Sequence, residues 1–124
     1  MPFQDAARAL RAELTDLRRE LHAHPEVGLD LPATRDRLER ALDGLGLDVS
    51  RGSGLTSLTA VLHGARPGPT VLLRADMDGL DVVERTGLPF ASARGTMHAC
   101  GHDLHMAGLV GAARLPAARR DELP

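Results

Sequence analysis

The stretch "TVLLRADMD", residues 70–78, constrains the fold more than any other. Val71, Leu72 and Leu73 are consecutive, so in an extended chain their side chains point to both faces. A run of that kind is typical of a strand buried on both sides, as in the sheet of an α/β protein. It ends in two carboxylates, Asp76 and Asp78. Open α/β sheets place their chemistry outside the carboxyl ends of strands, so these two residues mark where a site is expected. Being two apart, they share one side of a strand. The competing reading is local: short Asp side chains cap turns well, and Gly79 follows.

The flanking segments supply the layers. Leu10, Leu14, Leu17 and Leu21 recur at helical spacing, which predicts a helix that ends near His24, because Pro25 disfavours helical backbone in the residue before it. Thr34 is placed to cap a second helix carrying Leu38, Ala41, Leu42 and Leu45, stopped by Gly44 or Gly46. "LDVS" and "SLTAVLHG" read as strands. A last helix is expected from about Asp103 to Arg120, kinked or ended by Pro116. Helix, helix, strands, helix predicts an α/β or α+β layered domain. With two Phe and neither Trp nor Tyr in 124 residues, the core must be Leu, Val and Ala.

Charge and composition exclude several roles. The formal net charge is −2, which gives no steering toward nucleic acid or an acidic membrane. All fifteen basic residues are Arg, scattered along the chain in no single stripe. The first residues are charged and amphipathic and lack the apolar stretch of a signal peptide. No run approaches the ~20 apolar residues of a membrane span, so a soluble, cytoplasmic protein is expected. A single cysteine allows no internal disulfide.

That cysteine lies in "GTMHACGHDLH", residues 95–105, with three of the six histidines. On a helix Cys100 and His102 would diverge by about 200°, so a shared ion needs looped backbone between them. Gly101 permits it. Thiolate plus imidazole suits Zn²⁺ and its neighbours Mn²⁺, Co²⁺ and Ni²⁺. His105 could stand one turn from His102. The alternatives are a cysteine nucleophile with His102 or His105 as base, and a structural cluster without chemistry. "DMDG" lacks the later ligands of a calcium loop. His22, His24 and His63 read as capping or surface residues.

Together, "LRRELHAHPEVGLDLPATRDRLERALDGLGLDV", "GPTVLLRADMDGLDVVERTGLPFAS" and "GTMHACGHDLHMAGLVGAARL" resemble the amidohydrolase branch of the aminoacylase and carboxypeptidase metallopeptidases. That branch includes hippurate hydrolases, N-acyl-amino-acid amidohydrolases and auxin-conjugate hydrolases. The resemblance implies a zinc-peptidase-like catalytic domain with a mixed sheet between helices. It also implies two divalent metals (Zn, Mn, Co or Ni) per full-length site. Cys100 and His102 match metal ligands, and Asp78 matches the acidic residue that orients a metal-bound histidine. Asp76 stands where peptidase relatives carry that histidine, and His105 matches a site-lining position.

The implied reaction is hydrolysis of an N-acyl-amino-acid amide by metal-activated water, with a glutamate as base. The implied full-length assembly is a homodimer or higher. The family's Glu-Glu pair has no counterpart in residues 1–124. These residues are therefore expected to be the N-terminal portion of the catalytic domain, inactive alone, without the inserted dimerisation domain and the domain's C-terminal part. A non-catalytic remnant or binding module with a weak metal half-site is the alternative. Smaller departures are Gly79 and Asp81, where relatives more often carry Ala and Pro, and Pro116.

Overall fold

The computed structural model describes residues 2–124. In chain order the elements are α1 (Pro2–Ala9), α2 (Arg11–Ala23), α3 (Pro32–Leu42), β1 (Asp48–Arg51), β2 (Leu58–Val61), α4 (His102–Ala117) and a closing 3₁₀ turn (Arg120–Glu122). The leucine stripe predicted one helix and the structure has two, separated at Leu10. Leu10 closes α1 with its N–H on the Ala7 carbonyl at 3.2 Å and opens α2 with its carbonyl accepting from the Leu14 N–H at 3.0 Å. α2 stops at Ala23, and the His24 N–H turns back to the Leu21 carbonyl, as expected two residues before a proline.

α3 starts earlier than Thr34. Pro32 occupies its first turn, where a missing N–H costs nothing. The cap comes from a distant residue. The Glu26 carboxylate accepts from the Thr34 N–H at 2.6 Å, the Thr34 hydroxyl at 2.7 Å and the Ala33 N–H at 3.3 Å. A carboxylate at a helix N-terminus satisfies the free N–H groups and complements their partial charge. Thr34 is therefore a capped residue and not the cap.

α2 packs principally on α4, with α3 alongside. Their meeting faces form the core: Leu21, Leu38, Met106 and Val110, with Leu14, Leu17, Ala41, Leu42, Leu58, Ala75 and Met77 against it. Gly111 lies where a Cβ would come within 2.6 Å of a Leu14 methyl, so its missing side chain sets how closely the two helices approach. α4 ends one residue after Pro116, which has no N–H to donate and crowds the preceding turn.

β1 and β2 form an antiparallel pair, Asp48 opposite Val61 and Arg51 opposite Leu58. The buried strand expected at residues 70–78 is absent among the described residues. Val71 is 79% exposed, Leu72 87% and Leu73 55%. The physical reason is that, among the described residues, no neighbouring strand pairs its backbone and only Ala75 and Met77, at its end, pack against the core. Only its exit is held. The Gly79 N–H bonds the Glu26 carbonyl at 2.7 Å, and Leu80 and Met97 exchange two backbone bonds of 2.8 and 2.9 Å. These bridges bring the end of "RADMD" against both the "HPEVG" loop and the histidine cluster.

Candidate metal centre

Gly101 makes the local geometry. Its φ of +78° is left-handed, a conformation that costs a residue with a side chain about 1 kcal/mol or more. The turn closes with the Gly101 N–H on the His98 carbonyl at 3.2 Å. α4 begins at the next residue, so Cys100 ends the loop and His102 opens the helix. Cys100 is exposed.

His102 is oriented by Asp78. Its Nδ1 lies 2.8 Å from the Asp78 carbonyl and 3.0 Å from Asp78 Oδ1. Nδ1–H therefore donates, and Nε2 keeps the lone pair. This is the arrangement by which a second residue readies a histidine to bind a cation. An exposed thiol and an imidazole Nε2 suit a borderline divalent metal. Among the described residues no group of three His, Cys, Asp or Glu side chains forms a complete ligand set. His105 is exposed, its ring 6.0 Å from that of His102. Asp76 is drawn elsewhere: its Oδ1 lies 2.5 Å from Arg74 Nη2. Asp76 and Asp78 thus follow one another in sequence without sharing partners.

A buried polar network under α4 escaped the sequence reading. Asp103, fully buried, accepts at Oδ2 from Arg18 Nε and His22 Nδ1, each at 2.7 Å. His22 Nε2 lies 2.9 Å from Glu84 Oε1. Glu84 also accepts from the Thr86 hydroxyl and the Ser92 N–H, both at 2.6 Å. Phe90 covers the assembly, edge-on to His22 and beneath the guanidinium groups of Arg18 and Arg19, each 5.1 Å from its ring centre. His22 is thus a buried bridge and not the capping or surface residue expected. His24 bonds the Glu20 carbonyl, and His63 is exposed beside Asp48. A sequence clue was available: Asp103 falls inside the cluster, and an Asp on the inner face of a helix needs partners.

His98 is 3% exposed and neither ring nitrogen has a partner; Asp103 Oδ1 is likewise alone. Burial pushes His98 below its usual 6.5, against the pull of the Asp103 carboxylate. For Glu84, burial raises the carboxyl, but hydrogen bonds from Thr86, His22 and Ser92 outweigh it and bring it from 4.5 to about 2. A carboxylate lowered by folding stabilises the folded chain above its unfolded value and loses that contribution as pH falls through the folded value. Between pH 4.5 and about 2, wild type should therefore lose stability faster than Glu84→Gln, measured as urea midpoints across that range. Parallel slopes would exclude the carboxylate as the source.

Residues 72–124 match the model of Peptidase family M20/M25/M40. Over that segment the chain is similar to M20 peptidases. The resemblance stated above is thereby borne out. The chain is 41% identical over 120 residues to the N-acetylcysteine deacetylase of Bacillus subtilis, covering 95% of this chain and 32% of that protein. It is 41% identical over 121 residues to thermostable carboxypeptidase 1 of Saccharolobus solfataricus, covering 96% and 31%. Among solved structures, the Bacillus subtilis YXEP protein is described as a dinuclear metal-binding peptidase of the M20 family. It superposes with a TM-score of 0.87 at 39% identity, over 93% of this chain and 33% of its own. The chain therefore spans about a third of the length of the relatives it matches. Its mixed α/β architecture is that of the corresponding part of M20 peptidase structures. The M20 match contains Asp76, Asp78, Cys100, His102 and His105, whereas Arg18 and His22 lie outside it.

Proposed function

We propose that residues 1–124 are the N-terminal portion of the catalytic domain of a metal-dependent amidohydrolase. Its substrates would be N-acyl amino acids or short peptides. The observation that carries this reading is the Asp78–His102 contact. It commits Nδ1 to hydrogen bonding and leaves Nε2 available next to the exposed Cys100. Cys100 and His102 would supply two ligands, as a thiolate and a neutral imidazole. Asp78 holds the imidazole tautomer, and Gly101 supplies the left-handed turn between the two ligands. His105 lines the approach beside His102. When bound, the divalent metal supplies a nucleophile at neutral pH and stabilises negative charge on the attacked carbonyl.

A general base and further ligands would come from segments of a full-length relative beyond this third. The chain alone is therefore expected to bind metal without hydrolysing substrate. The dimerisation implied by the family would likewise require those segments.

The test is calorimetric titration of the 124-residue chain with Co²⁺ or Zn²⁺. Two ligands predict a dissociation constant on the order of micromolar or weaker. Cys100→Ala and His102→Ala should each abolish the heat and the Co²⁺–thiolate absorption. Unchanged binding in both variants would refute the assignment.

A further inference from the structure

We infer that His22 is a positioning residue for the Cys100–His102 pair, acting through Asp103 on the rotation of α4. This rests on the metal reading of that pair.

Successive helical residues project about 100° apart, so the direction of Asp103 fixes the direction of His102 on the same turn. Asp103 is held at one oxygen by two donors from α2, Arg18 Nε and His22 Nδ1. His22 is in turn held from its other side by Glu84. Glu84 cannot retreat, because Thr86 and Ser92 tie both of its oxygens to its own loop. Phe90, from that loop, closes over Arg18 and His22. Three segments distant in sequence are thus locked at one buried ring, beside the first residue of α4.

The lever is short. A rotation of α4 by about 10° would move a ring nitrogen roughly 7 Å from its axis by about 1 Å. Ligand geometry tolerates only ~0.5 Å. Asp78 orients the ring itself, while His22 sets the helix that carries it. The two ring nitrogens of His22 face carboxylate oxygens of Asp103 and Glu84, on opposite sides of one buried ring, so His22 bridges α4 to the Glu84 loop.

The experiment compares His22→Gln with Val110→Ala, an apolar core variant on α4, matched to it in melting temperature by choice of conditions. Each is titrated with Co²⁺, and amide exchange is followed at Leu104 and His105. His22→Gln should weaken Co²⁺ about tenfold or more and speed exchange at those two amides, with Val110→Ala staying within about twofold of wild type. Glu84→Gln, which keeps an oxygen facing His22 Nε2, should retain most of the wild-type affinity that His22→Gln loses. Equal losses in His22→Gln and Val110→Ala would overturn the inference and leave His22 a stabilising residue only. If wild type binds no Co²⁺, the metal reading itself fails. The exchange comparison then decides alone, and equal exchange in the two variants overturns the positioning role.

Discussion

Asp103→Ala should be the most damaging single substitution in the chain, costing about 3–5 kcal/mol. The carboxylate is fully buried and is the shared acceptor of Arg18 and His22. Truncation removes the carboxylate that stands between the Arg18 guanidinium and His22 Nδ1, and leaves Glu84 as the remaining anion at His22. The cost is that of the stranded charges more than of the lost bonds. Domains are stable by only about 5–15 kcal/mol in all, so the variant should melt roughly 10–25 °C lower. Asp103→Asn keeps an oxygen acceptor and should lose less. Removing the whole set, with Arg18, His22 and Asp103 all made apolar, should restore part of the loss, because stranded charge then disappears. Urea unfolding followed by circular dichroism measures each. A loss under 1 kcal/mol for Asp103→Ala would mean that the network is solvated and holds nothing.

The helices were legible because their signals are local. Leucine spacing, Pro25 and the glycines after Leu42 act within a few residues, and the structure follows them to within one or two positions. The cap of α3 was not legible, since Glu26 reaches it from six residues before Pro32 across a loop that no period describes. The run at 70–78 shows the opposite case. Its pattern states what surroundings it needs, and the described residues do not supply them. Val71 and Leu72 therefore stand exposed although the pattern for a buried strand is clear. A hydrophobic pattern encodes a requirement for partners and does not supply them.

The site divides along the same line. Cys100, Gly101 and His102 are contiguous, so their juxtaposition could be read directly, and the left-handed glycine fulfils the looped backbone that the spacing demanded. Asp78 meets His102 only because the Leu80–Met97 bridge folds one segment on the other. Arg18, His22 and Glu84 converge on Asp103 from separations of 85, 81 and, between His22 and Glu84, 62 residues. No spacing rule reaches that far. Two histidines flanking the end of a helix look alike in sequence, yet His22 is buried and His24 is not, because His22, one turn after Arg18, meets Asp103 and Glu84, whereas His24 lies past the end of α2 and turns back to the Glu20 carbonyl.

Met106→Ala should be the second largest loss, about 2–5 kcal/mol. Met106 is 1% exposed and touches the cluster of Leu21, Leu38 and Val110. It stands one turn beyond His102, so α4 is pinned near its start by charge at Asp103 and by packing at Met106. The two pins differ in kind, and the substitutions separate them. Met106→Leu keeps the volume and should cost under about 1.5 kcal/mol, whereas no isostere of Asp103 keeps its charge. The Met106→Ala loss should be nearly the same at pH 7 and pH 4, because it removes no ionisable group and opens only a cavity. Asp103 and Met106 are neighbours on one helix, so the double alanine variant should deviate from additivity by more than about 0.5 kcal/mol. Strict additivity would mean that the first turn of α4 frays independently of its core. Asp103 could then hold His102 without help from the packing below.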